Sequence, residues 1–392
     1  MKKFVIIAAF AATLAGLVSC NKQNPNDDGK GNEYEISGRI TTDLTLKQGQ
    51  TYKLVGSLQV VAPATLTIEP GVTVSAADNG EINYILIEQG AKINAVGTAS
   101  NPIVLTADAK TTGAWGGLHI CGKAHSNKAA KAGESLTSEI GNAVYGGNVE
   151  NDNSGSLKYV RLEYTGYKLD AEHEANGLSL YGVGSGTEIS YIECYMGSDD
   201  GIEFFGGSVN VDHCVVVDCT DDSFDWTEGW NGKGEYLVAY QSDPTCDCLM
   251  ECDNNGDDFS ATPVALPTLK YITLVGNNSS DNKRGIRLRA GTEVSIENAL
   301  ICGKPLGITA ETTQTISALA SGKSVLKHIY MDSVFSEKVD EGAESVYASA
   351  QFLADGTNKE NYTISLTDRY VGTIDGNGAV DAASDWTKGW TK

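Results

Sequence analysis

Short alternations of apolar and polar residues recur along this chain, and most of them end at a glycine turn. Alternation with a period of two predicts β-strands, and glycine after each run predicts a turn. The repeated pairs are residues 68–74 with 87–93, 188–192 with 210–214, and 199–204 with 221–226, at spacings of 19, 22 and 22 residues. A unit that returns at such spacings predicts a solenoid, because one unit cannot bury its apolar face alone.

The predicted fold is therefore all-β, a right-handed parallel β-helix over residues 34–308. Short strands, 44 glycines and the lack of a convincing helical pattern in the body favour coils of three strands. An antiparallel β-sandwich is the main competitor, but it gives no reason for a constant period. We expect residues 309–392 to form a C-terminal capping region, since an uncovered coil is a sheet edge that recruits other chains.

The start of the chain predicts export and lipid anchoring. Lys2 and Lys3 precede an apolar run that ends in Leu17, Val18, Ser19 and Cys20, the pattern of a lipoprotein signal peptide over residues 1–19. Cys20 is the expected lipidation site, and the polar residues 20–33 form a predicted flexible tether. These features predict an outer-membrane lipoprotein that faces outward and contacts the membrane through its N-terminal lipid.

The net charge limits the classes of expected binding partner, and the cysteine content predicts disulfides. A net charge of −22 excludes nucleic acid and suits divalent cations, basic partners or neutral glycans. Eight cysteines remain besides Cys20, and in an oxidising compartment they predict disulfides. The closely spaced Cys246, Cys248 and Cys252 favour a disulfide-pinned loop over a metal site.

Several short motifs resemble a known family. They are TIEPGV at 67–72, GTASNPI at 97–103, WGGL at 115–118 and the acidic segments 199–206 and 221–230. Together they are similar to a Bacteroidetes family of β-helix surface lipoproteins, and more distantly to the pectin-lyase-like superfamily of polysaccharide lyases, polygalacturonases and adhesive surface proteins. The resemblance implies the fold and leaves the activity open.

The strand register predicts one outward column of polar side chains. If Ile202 and Phe204 point inward, Glu203 points outward, because side chains alternate along a strand. The same phase in the neighbouring coils gives the column Ser179, Glu203, Asp225, Ser260 and Arg287. Coils stack about 4.8 Å apart, so Glu203 and Asp225 would approach the separation of about 5 Å found in retaining glycosidases. Glu203, Asp225 and Arg287 are the candidate catalytic residues, and Ser179 and Ser260 are candidate ligand contacts.

Three Asp-Asp pairs precede strands of these coils: Asp199 with Asp200, Asp221 with Asp222, and Asp257 with Asp258. Aspartates at turns often only cap backbone amides. Clustered carboxylates can instead bind Ca²⁺, a hard cation that takes six to eight oxygen ligands. A catalytic role is the third possibility for these Asp-Asp pairs.

A repeated aromatic motif offers a further candidate. DWTEGW at 225–230 returns as DWTKGW at 385–390, and exposed indoles of Trp230 and Trp390 would form a platform for sugar rings. The alternative is that the tryptophans are core residues. The five histidines make no spaced pair for zinc. The preferred function is polysaccharide or other extracellular ligand binding, the alternative is a polysaccharide hydrolase or lyase, and a purely structural envelope protein is the third possibility.

Overall fold

The computed structural model describes residues 33–131, 133–168 and 175–392. The predicted signal peptide, the lipidation site Cys20 and the tether up to residue 32 lie outside the described residues. The strands of the first half are β1 (Glu33–Ile40), β2 (Leu44–Leu46), β3 (Thr51–Val60), β4 (Thr65–Ile68), β5 (Thr73–Ala76), β6 (Tyr84–Ile87), β7 (Lys92–Val96), β8 (Ile103–Ala107), β9 (Leu118–Cys121), β10 (Leu136–Thr137), β11 (Val144–Tyr145), β12 (Gly155–Glu163) and β13 (Leu178–Tyr181).

The second half adds β14 (Glu188–Tyr195), β15 (Ile202–Phe205), β16 (Asn210–Val217), β17 (Phe224–Thr227), β18 (Lys233–Tyr240), β19 (Met250–Asp253), β20 (Thr268–Val275), β21 (Arg284–Arg289), β22 (Ser295–Cys302), β23 (Leu306–Glu311), β24 (Val325–Met331) and β25 (Val334–Lys338). Two helices, α1 (Thr313–Ser321) and α2 (Ser349–Phe352), follow β23 and β25. Neither of these helices is long and apolar enough to cross a membrane.

All strands except the β10–β11 hairpin pair in parallel, which confirms the predicted parallel β-helix. One face, sheet 3, starts with the C-terminal ends of β1 and β3 and continues through β6, β9, β13, β15, β17, β19, β21, β23 and β25. The other two faces share long bent strands. The first leg of β12 pairs with β7 in sheet 1, and its second leg pairs with β8 in sheet 2. From β14 to β24 each even-numbered strand repeats this arrangement.

The bend between sheets 1 and 2 is made by residues with positive φ, and no local pattern in the sequence predicts it. Tyr159, Tyr191, His213, Tyr236 and Tyr271 have φ between 51° and 57°. Their rings stack on one another with centroids 4.3 to 5.0 Å apart, and we call this stack the corner ladder. Stacking across coils offsets part of the cost of a left-handed backbone at non-glycine residues.

The interior follows the alternation read from the sequence. Ile202 and Phe204 of β15 are buried, and they lie opposite Phe224 and Trp226 of β17. Burying such aromatic and branched side chains contributes about 1.5–3 kcal/mol each. The inward and outward positions of these two coils are therefore as predicted.

The predicted disulfides are absent. All eight cysteines in the described ranges are free thiols. The coil register explains this, because Cys194 lies opposite Val216 and Cys214 lies opposite Ile192 and Leu237. These thiols therefore fill inward positions like small apolar side chains, a role in which free cysteine is common. The region of Cys246, Cys248 and Cys252 contains β19, so it is not a disulfide-pinned loop.

The C-terminal region extends the helix and then returns along its side. Parallel pairing continues beyond the expected boundary at Ile308, through β24 and β25 to Lys338. Residues 366–392, which we call the strap, then run back over the outer face of sheet 2. The amide of Ala379 donates to Thr273 Oγ1 (2.8 Å), and Arg161 donates to the carbonyl oxygen of Trp390 (3.1 Å). The repeated DWTKGW segment thus covers a side of the solenoid.

Candidate acidic site on sheet 3

The outward column of sheet 3 is made by directly paired residues. Ser179 lies opposite Glu203, and Glu203 lies opposite Asp225, as the register predicted. The next rung is Glu251 of β19, which lies between Asp225 and Arg287. Ser260 was predicted at this rung, and that prediction was wrong because Glu251 occupies it.

The error arose because β19 was read as a loop. Met250 and Cys252 point inward and are buried, so Cys252 occupies a core position of the alternation. Ser260 lies in the exposed loop after β19, where its amide donates to Asp258 Oδ1 (3.0 Å). A ligand on the column would therefore meet Glu251 in place of Ser260.

The first two Asp-Asp pairs converge on the column, and the third does not. Asp199 and Asp200 precede β15, and Asp221 and Asp222 precede β17, so the coil period brings them together. Together with outward residues of sheet 3 they line an open cavity of about 350 Å³. The lining residues are Glu139, Asn176, Asp199, Asp200, Glu203, Asp221, Asp222, Asp225, Asp247, Glu251 and Arg287. We call this cavity the acidic pocket.

The third pair, Asp257 and Asp258, does not line the acidic pocket, so its assignment to the same metal site was wrong. Both residues are exposed, in the loop after β19. Their backbone amides donate to Asn255 Oδ1 at 2.9 and 3.0 Å. This pair therefore belongs to an ordinary turn, because it follows β19 after three residues and does not precede the strand as the other two pairs do.

Two sets of carboxylates lie close enough to share a cation. Ligand oxygens of Asp200, Glu203 and Asp225 all lie within 4.8 Å of one another, and the same holds for Asp199, Asp200 and Asp221. Asp200 belongs to both sets and is only 6% exposed. Carboxylate oxygens at such separations match the ligand shell of Ca²⁺.

Hydrogen bonds hold two of these carboxylates in place, and a buried oxygen of a third has no partner in the described part of the chain. Asn176 Nδ2 donates to Glu203 Oε2 (2.5 Å), and the amide of Asp222 donates to Asp200 Oδ1 (3.0 Å). Asp225 Oδ1 is buried and finds no hydrogen-bond partner among the described side chains and backbone. A buried polar atom without a partner is costly, so this oxygen favours an added donor or cation.

The acidic pocket resists ionisation of its own carboxyl groups. Burial and then the neighbouring carboxylates raise the pKa of Asp200, Glu203 and Asp225 well above the usual range. The pKa of Asp222 is raised for the same reasons. Carboxyl groups packed this closely either keep protons or bind a cation.

Arg287 supplies one positive charge at the edge of the acidic pocket. Its guanidinium lies 2.8 Å from Glu251 and 3.2 Å from Glu311, so each of its two terminal nitrogens forms an ion pair. These ion pairs explain why Arg287 does not neutralise the carboxylates around Asp200. It lies on the column as predicted, but its position favours charge balance over contact with a bound ligand.

The remaining predicted ligand contacts are buried. Ser179 is 0% exposed and accepts a hydrogen bond from Asn176 Nδ2 (3.2 Å), so it lies beneath the acidic pocket. Trp230 is 1% exposed and stacks on Phe204 with ring centroids 3.9 Å apart. Trp390 is 0% exposed and packs edge-on against Tyr159 of the corner ladder.

The predicted tryptophan platform is therefore wrong. The indole N–H of Trp230 donates to the carbonyl oxygen of Val209 (3.1 Å), and that of Trp390 donates to the carbonyl oxygen of Trp386 (2.8 Å). With its polar atom satisfied, each indole is stable inside the protein. Neither can offer an open face to a sugar.

Several residues of the acidic pocket were missed from the sequence. Glu251 had a signal in the alternation of Met250, Glu251 and Cys252. Glu139 and Asp247 had none, since they come from segments between the main strands that carry no period. The chemistry of the assembled site is that of a cation-binding or proton-holding cavity.

Comparison with known proteins agrees with this architecture. No curated protein and no solved structure shows a significant match. A family model described as a pectate-lyase-like beta helix domain matches residues 38–391, which is most of the chain. On this match, together with the parallel coils, the chain belongs to the pectate-lyase-like β-helix domain family.

Proposed function

We propose that this chain is an outward-facing outer-membrane lipoprotein, anchored through Cys20, that binds polysaccharide at the acidic pocket with Ca²⁺ as a bridging ion. The observation that carries the proposal is the convergence of two carboxylate sets on Asp200. The family name points to proteins that handle carbohydrate. The lipid anchor rests on the signal pattern that ends at Cys20.

A bound cation would remove the main electrostatic cost of the site. Five carboxyl groups in the acidic pocket have a raised pKa, and burial is the largest cause for each. Ca²⁺ would favour their ionised forms and could still accept oxygen ligands from a sugar, because it takes six to eight oxygens. The open side of the 350 Å³ cavity leaves room for those ligands.

The test compares Asp200→Asn with Asp257→Asn. Both changes remove one carboxylate, but Asp257 lies in the exposed loop outside the acidic pocket. We expect wild type and Asp257→Asn to bind Ca²⁺ and to retain a polysaccharide from a glycan panel only when Ca²⁺ is present. Asp200→Asn should lose at least tenfold in Ca²⁺ affinity and should lose glycan retention. Equal affinities in the two variants, or retention that survives a chelator, would contradict the proposal.

Polysaccharide cleavage is the second candidate. It is favoured by the direct pairing of Glu203 with Asp225, because a carboxyl with a raised pKa can donate a proton to a glycosidic oxygen. Under this reading Glu203→Gln or Asp225→Asn abolishes the release of reducing or unsaturated ends while the fold is kept. Unchanged release by both variants would rule out this pair as the catalytic residues.

A further inference from the structure

A buried lysine lies behind one wall of the acidic pocket. Lys304, in the turn between β22 and β23, is 1% exposed. Its Nζ donates to the backbone carbonyl oxygens of Asp247 (2.7 Å), Asn282 (2.9 Å) and Cys246 (3.4 Å). These three bonds use all the donors of an ammonium group. The chain thus holds a cation in a cage of backbone oxygens.

One peptide unit connects this ammonium group to the acidic pocket. The carbonyl of Asp247 accepts from Lys304, and the amide of the same peptide unit, that of Cys248, donates to Asp222 Oδ1 (2.6 Å). Asp222 is 5% exposed and lines the acidic pocket. Hydrogen bonds in series polarise one another, so the positive charge of Lys304 strengthens the bond to Asp222.

Negative groups in this wall of the acidic pocket compensate part of the cost of burying the charge of Lys304. Burial lowers the pKa of Lys304, and the negative groups around it, including Asp247 and Asp222, oppose that effect. A buried ammonium group is tolerated where it is fully hydrogen-bonded and close to opposite charge. Lys304 meets both conditions.

We propose that Lys304 is a resident cation that serves the Asp222 and Asp247 end of the acidic pocket, and so confines an added metal ion to the carboxylates around Asp200. Ligand atoms of Asp222, Asp247 and Cys248 lie within 4.8 Å of one another, so this end would otherwise attract a second ion. The carbonyl oxygens that now hold Lys304 are hard ligands of the kind that Ca²⁺ accepts. The part of this inference that concerns a Ca²⁺ ion bound around Asp200 in wild type rests on the proposed function.

The test is the number of Ca²⁺ ions bound per chain before and after Lys304 is removed. Lys304→Ala vacates the carbonyl cage, and equilibrium dialysis should find one more equivalent of Ca²⁺ than in wild type. Adding Asp247→Asn to that variant should remove the extra equivalent. An unchanged count in Lys304→Ala overturns the inference. If wild type binds no Ca²⁺ and the variant binds one, the role of Lys304 as the resident cation stands, and the proposed function fails together with the confinement of a wild-type ion.

A matched control separates charge from loop anchoring. Asn282 Nδ2 donates to the carbonyl oxygens of Thr245 (2.9 Å) and Pro244 (3.3 Å), so Asn282→Ala loosens the same segment without removing a charge. We expect the wild-type Ca²⁺ count in this variant. An extra equivalent in Asn282→Ala would show that loosening alone creates the second site, and would overturn the role of Lys304.

Chemical rescue gives an independent measurement. Methylammonium should raise the melting temperature of Lys304→Ala and leave that of wild type and Asn282→Ala unchanged, because only the first variant has an empty ammonium position. Methanol, which is neutral, should not raise the melting temperature of Lys304→Ala. If Lys304→Ala does not fold alone, Lys304→Ser refolded with and without methylammonium provides the same comparison. No difference between the amine and the neutral compound overturns the inference.

Discussion

Glu193 is a carboxylate sealed beneath the strap. It lies in β14, is 0% exposed, and accepts the backbone amide of Lys392 with both oxygens at 2.9 and 3.2 Å. Arg161 Nε lies 3.9 Å away, and the buried Glu163 is close by. Burial is the largest influence and raises the pKa of Glu193 from 4.5 to about 7.

This shift predicts a pH dependence of stability. A carboxyl with a raised pKa in the folded state favours folding while it is protonated, and that advantage is lost as the pH rises from 4.5 to about 7. The shift corresponds to about 3 kcal/mol at most. Between pH 4.5 and pH 8 we expect the free energy of unfolding of wild type to fall relative to Glu193→Gln. Denaturant titrations at both pH values measure this change.

The control for Glu193→Gln is Glu188→Gln, an exposed position at the start of the same strand. The difference in unfolding free energy between wild type and Glu188→Gln should not change in this way between pH 4.5 and pH 8. If Glu193→Gln and wild type keep a constant difference across this range, the buried carboxyl does not change its protonation there, and the argument from burial is wrong.

At the scale of single strands, the acidic pocket depends on how closely neighbouring coils approach. Gly201 lies between the metal-binding candidate Asp200 and the core residue Ile202. A Cβ at this position would lie 2.4 Å from Val216 Cγ1 and 2.6 Å from the carbonyl oxygen of Ser223. Only glycine allows the start of β15 to lie this close to its neighbours.

Gly201→Ala should therefore damage both stability and the site. Overpacking of this kind costs about 1–3 kcal/mol, and displacement of Asp200 should weaken Ca²⁺ binding several-fold. The control is Gly256→Ala, because a Cβ there meets nothing within 4 Å. Denaturant unfolding and Ca²⁺ titration of the two variants give the comparison. Wild-type stability in Gly201→Ala would mean that the coils can separate without cost.

The same strands explain what the sequence could and could not predict. β15 and β17 were predicted in the correct register, because their echo at 22 residues fixes both the Asp-Asp pairs and the outward acids. β19 was missed because Cys252 stands at one of its inward positions, where a cysteine suggested a disulfide-pinned loop. The corner ladder was not foreseen, since positive φ at Tyr191 or His213 is stabilised by stacking between coils and leaves no local pattern. Burial of Trp230 likewise depends on Phe204 in the coil before it.

At the scale of the whole molecule, the strap gives sheet 2 an outer apolar layer. Val215, Val217 and Val238 point outward from sheet 2 and are covered by Tyr370 and Val380 of the strap. The indole of Trp386 packs edge-on against His213 of the corner ladder, with centroids 4.7 Å apart. Without the strap, this face would be an apolar surface on the side of the solenoid, and such surfaces promote association.

Release of the strap should therefore cause self-association and leave the acidic pocket intact. Val380 is 0% exposed, and Val380→Asp places an unpaired charge between the strap and sheet 2, which costs about 3 kcal/mol or more. The control is Asp381→Asn at the exposed neighbouring position. We expect faster proteolysis within residues 366–392 and a larger mass by light scattering for Val380→Asp alone. Its Ca²⁺ affinity should remain that of wild type, because the acidic pocket lies on sheet 3.

The contradicting outcome is that Val380→Asp loses Ca²⁺ binding at the same denaturant concentration at which the strap is released. Strap and solenoid would then unfold as one cooperative unit. The strap would be part of the core and not a separable cover.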